Sequence, residues 1–170
     1  MVFPPGVSLA ITLGKVIAGY SGYKKGKSKE DDLALRQRLA MELDKSRGYL
    51  LNLMEEAYLE NETTRTMRIQ AVIDIIDNFK QEVGLASAGH KYALFSQQHS
   101  ISTSKMKKLI EFDASVVEKS LEMTEKLESL NNASLEGKQM DTELKNLKAG
   151  FMTLQGNFRN RIEFLKGMKK

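Results

Sequence analysis

The stretch LAMELDKSRGYLLNLMEEA, residues 39–57, decides the fold. Leu39, Leu43, Ser46, Leu50, Leu53 and Ala57 recur at alternating four- and three-residue spacings, which places them on one stripe of an α-helix. Leu51, Met54 and Tyr58 widen that stripe. Gly48 lies inside it, where glycine costs about 1 kcal/mol relative to alanine.

Working outward, Ser28 followed by Asp31 has the spacing of a helix start: the hydroxyl accepts a bond from an orphan amide and the acid favours the positive helix end. Residues 60–64 read as a turn. Thr63 or Thr64 then caps a second helix carrying Ile69, Val72, Ile76, Phe79 and Val83. Beyond Gly84 the phase slips to Leu85, Ala88, Tyr92 and Phe95, so either one helix bends around Gly84 and Gly89 or two shorter helices meet there. Ser100, Ser102, Thr103 and Ser104 make the next break, because their side chains compete for backbone bonds and favour caps. A third helix follows with Leu109, Ile110, Phe112, Ala114, Val116, Val117, Leu121, Leu127 and Leu130. After a turn at Asn131, Asn132 and Ser134, the last helix carries Met140, Leu144, Leu147, Phe151, Leu154, Phe158, Ile162 and Leu165, interrupted by Gly150 and Gly156.

The only prolines are Pro4 and Pro5, so long helices are uninterrupted from residue 6 onward. Four helices of roughly 30 residues, each about 45 Å long, bury their stripes by running antiparallel. The expected fold is therefore all-α: an up-down-up-down four-helix bundle of long helices preceded by an apolar N-terminal helix. It forms one domain over residues 1–170, with 1–27 an apolar helix and basic linker and 28–170 the bundle.

Composition narrows the function. The 170 residues hold 26 Lys+Arg and 22 Asp+Glu, a net charge of +4. Residues 1–29 hold five lysines and no acid, and residues 159–170 hold five bases against Glu163. The bundle topology gathers these at one end with Lys105, Lys107 and Lys108. The opposite end collects Glu55, Glu56, Glu60, Glu62, Glu125, Glu128, Glu136, Asp141 and Glu143. The absence of cysteine excludes a disulfide framework, thiolate metal sites and a cysteine nucleophile.

Residues 7–23, VSLAITLGKVIAGYSGY, differ in kind from the rest. The positive charges follow the apolar run, and Lys15 sits inside it, which is not the layout of a secretory signal. The run is marginal for crossing a bilayer, which takes about 20 predominantly apolar residues, and suits an interface. Ala10, Gly14, Ala18 and Gly22 recur every four residues, a row of small side chains that lets another helix approach. Leu9, Leu13, Val16 and Tyr20 form a bulky row beside them. Tyr20, Tyr23 and the following lysines resemble a membrane-surface boundary.

Other motifs read as structural. Gly26-Lys27-Ser28 lacks the upstream glycine and the sheet of a phosphate-cradling loop. His90 and His99 fall on opposite sides of a helix and cannot share a metal without a sharp kink. No Glu-x-x-His occurs. Asp74/Asp77 and Glu118/Glu122/Glu125 read as a solvated face rather than as acid-base pairs. Asn61-Glu62-Thr63 and Asn132-Ala133-Ser134 read as turn and cap residues rather than glycosylation sites. No cofactor, metal site or enzymatic activity is expected.

The seven residues ITLGKVI at 11–17, heading a helical bundle, resemble the start of the executioner bundle of mixed-lineage kinase domain-like proteins and, in style, fungal HeLo domains. The resemblance covers those residues and the general architecture. It implies a cell-death module that oligomerises and permeabilises membranes, with Lys24, Lys25, Lys27 and Lys29 as lipid contacts.

The leading expectation is a non-enzymatic, cytoplasmic or peripheral membrane module that binds anionic lipid through its basic end. Lys24, Lys25, Lys27, Lys29, Lys105, Lys107, Lys108, Arg161, Lys166, Lys169 and Lys170 are the expected lipid contacts. Leu9, Ala10, Leu13, Gly14, Val16, Ile17, Ala18 and Tyr20 are the insertion or helix-packing residues. The competing expectation is a soluble coiled-coil-like scaffold or adaptor for partner helices, with residues 7–23 buried as a fifth helix. A homo-oligomer fits both readings, and nucleic acid is the disfavoured partner.

Overall fold

Stripes of heptad-spaced apolar residues become helices wherever a partner stripe can cover them, and here each long stripe finds one. The computed structural model describes residues 8–24, 27–89, 102–133 and 137–167, without the side chains of 86–89. Among these residues there are five helices and no strand: α1 Leu9–Val16, α2 Ser28–Leu59, α3 Thr63–Gly89, α4 Thr103–Asn131 and α5 Gly137–Gly167. They pack as an all-α bundle in which α2 contacts α3 and α4, α5 contacts α3 and α4, and α1 rests on α4.

Cross-links between helices fix their relative directions. Arg47 and Asp44 of α2 reach Asp77 and Lys80 of α3, so numbering rises in one as it falls in the other. Asn157 donates to Ser115 and Arg161 to Asp113, the same opposition between α4 and α5. Arg68 pairs with Asp141, and Arg159 with Glu82, so α3 and α5 run the same way.

The main core holds five of the six stripe residues of α2 together with Ile69, Val72, Ile76, Phe79 and Val83 of α3 and the α5 run from Met140 to Phe158, and the sixth, Ser46, is buried against the Thr124 hydroxyl. Of the residues expected to widen the α2 stripe, Met54 packs against this core, while Tyr58 at 75 % exposed and Leu51 at the surface do not, because α2 faces only two neighbours. Gly150 is buried against α4, where an added Cβ would stand 2.2 Å from Met123 Sδ.

Two helix ends follow the local chemistry, while Ser8 before α1 makes no side-chain cap bond. Asn61 takes a left-handed conformation (φ 59°), its amide donates to Tyr58 O, and the Glu62 amide donates to Ala57 O. This double bond closes the C-terminus of α2 and makes the turn into α3. Ser102 caps α4 by accepting from the Lys105 amide at 3.3 Å. The expected Ser28 cap is corrected: Lys27 flanks α2 without a side-chain cap bond, and Asp31 turns to another task described below. α3 is continuous through Gly84, with Leu85 66 % exposed, so the helix does not reverse there. Ala88 keeps its helical backbone, while Tyr92, Phe95, His90, His99 and Ser100 lie outside the described residues.

The apolar N-terminal helix is shorter than expected. α1 ends at Val16, Ile17 is extended, and the chain folds back through Gly19 and Gly22, both at positive φ, and Tyr23 at φ 60°. A left-handed tyrosine is costly by about 1 kcal/mol or more, and its contacts must hold it. The two glycines of the small-residue row serve this reversal. A Cβ on Gly22 would meet Ala10 Cβ at 2.7 Å, and one on Gly14 would meet Tyr20 O at 3.1 Å.

Candidate functional site: the basic end and its docked segment

Residues 9–23 are docked rather than free. Leu13, Ile17, Tyr20 and Tyr23 are buried in a second apolar cluster with Leu35, Leu109, Ala114, Val117, Leu121 and Leu165. Leu9 and Val16 pack against its edge, while Gly14 and Ala18 are exposed.

Polar bonds fasten the segment at two points. Asp31, in the first turn of α2, accepts from the Ser21 amide at 2.6 Å, the Ser21 hydroxyl at 2.9 Å and the Tyr23 amide at 2.5 Å. That is what holds Tyr23 left-handed. Asp113 of α4 accepts from both phenols, Tyr20 at 2.7 Å and Tyr23 at 2.5 Å, and from Arg161 Nε at 2.5 Å. Arg161 Nη2 also donates to Asp32 Oδ1 and Tyr23 Oη, each at 2.8 Å. Arg36 Nε donates to the other oxygen of Asp32 at 3.0 Å. Arg161 Nη1 and Arg36 Nη2 are buried without a protein partner.

Burial and charge pull these groups in defined directions. Burial raises the Asp113 carboxyl above the ordinary aspartate value, and the attraction of one guanidinium with its hydrogen bonds offsets this only in part. Burial opposes the charge on Arg161, yet Asp113, Tyr23 and Asp32 together hold it well above its ordinary value. The two directions are compatible because one cation answers two carboxylates. Burial and the Asp113 charge keep both phenols neutral, so they donate.

Around this buried knot, Lys24, Lys27, Lys29, Lys105, Lys107 and Lys108 are exposed. Lys108 Nζ lies 5.5 Å from the centroid of the Phe164 ring, itself stacked at an angle on Phe112. A groove of about 450 Å³ between α1 and α4 is lined by Ser8, Leu9, Ala10, Thr103, Met106, Lys107 and Ile110. It sets Lys107 beside the apolar face of α1. Lys166 is half-buried and pairs with Glu163. Arg161, expected among the surface bases, is instead 0 % exposed, because it sits at a core position of α5 with two aspartates to pair. Lys25, Lys169 and Lys170 lie outside the described residues.

The carboxylate runs have partners. Asp74 takes a bond from Gln70, Asp77 pairs with Arg47, and Glu122 is bridged by Lys119 and Lys126, whose hydrogen bonds hold it below its ordinary value. At the far end, Arg65 reaches Glu60 and Arg68 reaches Asp141, so basic residues are interleaved with the acids there. Among the described residues, no group of three or more His, Cys, Asp or Glu is placed to hold a metal ion, and no helix is long and apolar enough to cross a membrane.

The buried network escaped the sequence reading, although its signal is present. Asp113 stands four residues after Leu109 and four before Val117. Arg161 stands three after Phe158 and four before Leu165. A charged residue at a heptad core position on each of two helices is the mark of a buried pair. Fold and site together define an all-α helical-bundle protein with a basic end. No known protein family, curated protein or solved structure matches the chain.

Proposed function

We propose that this chain is a non-enzymatic, up-down-up-down helical-bundle module that associates peripherally with anionic membranes through its basic end and the segment docked there. The alternating directions of the α2–α3 and α4–α5 pairs support the topology. The observation that carries the functional reading is the set of exposed lysines at 24, 27, 29, 105, 107 and 108, with Lys107 beside an apolar segment whose Ile11 is 58 % exposed. Near an anionic surface each such lysine contributes about 1 kcal/mol. Self-assembly and permeabilisation, implied by the resemblance of residues 11–17 to executioner bundles, extend the same reading.

Co-sedimentation with vesicles tests it. Wild type should pellet with phosphatidylserine vesicles, not with phosphatidylcholine alone, and should be released by salt. Lys105→Gln/Lys107→Gln/Lys108→Gln should bind roughly a hundredfold more weakly. Equal pelleting with both lipids, or none with either, overturns the reading. Leakage of a trapped dye from the same vesicles tests permeabilisation.

The burial of Leu13, Ile17, Tyr20 and Tyr23 favours a second reading, a soluble scaffold or adaptor that presents its helical faces to partner helices. Slow amide exchange across α1, unchanged by anionic vesicles and accompanied by no pelleting, supports that reading over the first.

A further inference from the structure

The groove between α1 and α4 has a polar and an apolar side. On α4, Thr103 and Lys107 form one row at four-residue spacing, and Met106 and Ile110 form a second row beside it. Leu9 and Ala10 of α1 line the other wall. Leu9, Met106 and Ile110 are only partly buried and pack on the edge of the second apolar cluster, so the groove is core surface left open to water. Ala10 and Ile110 converge on Gly22, where an added Cβ would stand 2.7 Å from Ala10 Cβ and 3.8 Å from Ile110 Cδ1. From Thr103 to Ile110 the helix rises about 10 Å. The volume of about 450 Å³ lies within the roughly 300–1,000 Å³ of small-molecule sites.

Charge selects the occupant. Lys105, Lys107 and Lys108 are exposed, and none of them forms an ion pair among the described residues. The buried acids of this end are already engaged: Asp31 by Ser21 and Tyr23, Asp32 by Arg36 and Arg161, Asp113 by Tyr20, Tyr23 and Arg161. Glu30 and Glu111 are exposed and pair with none of the three lysines. Lys108 rests over the Phe164 ring, so Lys107 is the ammonium that lines the groove. A lysine on such a wall lays its alkyl stem on apolar surface and keeps its charge at the water edge. An apolar trough with one cation at its rim matches one alkyl chain with one anionic head.

We propose that this groove binds a free fatty acid, its alkyl chain between Leu9 and the Met106–Ile110 row and its carboxylate on Lys107, with the Thr103 hydroxyl donating beside it. The site takes its ligand from solution and does not rest on membrane association, so it is tested without vesicles.

Isothermal titration with decanoate, below its micellar concentration, should show one saturable site per chain. Decanol, which keeps the chain and lacks the charge, should bind at least tenfold more weakly. Lys107→Gln, at an exposed position, should weaken decanoate binding by at least tenfold and leave decanol unchanged, while Lys107→Arg retains binding. Met106→Trp, which fills the trough, should weaken both ligands, with helical circular dichroism unchanged in every variant. Methyl resonances of Met106 and Ile110 should shift on titration, and that of Met123 in the main core should not. Absent or unsaturable binding, decanol bound as tightly as decanoate, or shifts confined to other methyls overturns the proposal. A chain that binds phosphatidylserine vesicles and ignores decanoate would likewise overturn it, with the membrane reading left standing.

Discussion

Arg161 Nε donates to Asp113 Oδ1 at 2.5 Å with both side chains wholly withdrawn from solvent, and the same carboxylate receives the phenols of Tyr20 and Tyr23. One aspartate thereby joins α4, α5 and the N-terminal segment. Removing the arginine leaves Asp113 and Asp32 buried together without their shared cation. Arg161→Met should therefore destabilise the fold by about 3–5 kcal/mol, read as a lowered urea midpoint. Arg161→Met/Asp113→Asn should recover part of that loss, since the remaining polar group is neutral. A double variant less stable than the single one would show that the charge is not the source of the cost.

Asp113 also has a signature in pH. Its carboxyl is raised above the unfolded value by burial, so the folded state holds the proton more tightly than the unfolded chain. Its contribution to stability is accordingly greatest below about pH 4 and declines as pH rises through the folded pKa, the reverse of an ordinary paired carboxylate. Glu122 and Asp141, both half-buried, behave in the ordinary way, each lowered chiefly by a hydrogen bond from Lys126 or Arg68. Subtracting the Asp113→Asn stability from that of wild type between about pH 3.5 and 7 cancels their effect. The difference should fall with rising pH. A rising difference would mean that the attraction of Arg161 exceeds the cost of burial.

The glycines divide by what surrounds them. Gly48 has open space where a Cβ would stand, so Gly48→Ala should stabilise by about 1 kcal/mol through helix propensity alone. At Gly150 the same change drives a methyl into Met123 Sδ, which is 1 % exposed and packed in the main core. Overpacking of that kind costs about 1–3 kcal/mol, enough to cancel or reverse the gain. Thermal melts of the two variants should move in opposite directions or differ by several degrees; equal upward shifts would show that Met123 yields freely.

Most of the bundle was legible because heptad spacing and burial are the same fact seen twice. Leu39 to Ala57, Ile69 to Val83 and Met140 to Phe158 all face the core that their periodicity implies. The N-terminal segment was harder to read. Its apolar run looks like one helix, but a helix of 17 residues would leave Tyr20 and Tyr23 far from Asp113. The observed reversal depends on Gly19, Gly22 and a left-handed Tyr23 held by Asp31, a contact between residues eight positions apart that periodicity cannot express. Asp31 has the sequence position of a helix-start residue and does lie in the first turn of α2. Its position fits that role, and only the packed structure assigns its oxygens to Ser21 and Tyr23.

The two tyrosines fasten the segment more than their apolar contact alone would. Each donates to Asp113 from a buried site, and a hydrogen bond to a charged group contributes about 1.5–3 kcal/mol. Tyr20→Phe keeps the ring and removes one donor; Tyr20→Phe/Tyr23→Phe removes both and also deprives Arg161 of Tyr23 Oη. Amide exchange at Leu13 and Ile17 should accelerate on the order of tenfold or more in the single variant, and further in the double. Exchange at Leu53, Phe79 and Phe151, in the separate main core, should change much less. Uniform acceleration at both sets would mean that the segment and the bundle unfold as one unit, and an unchanged rate at Leu13 would mean that apolar packing alone holds the segment in place.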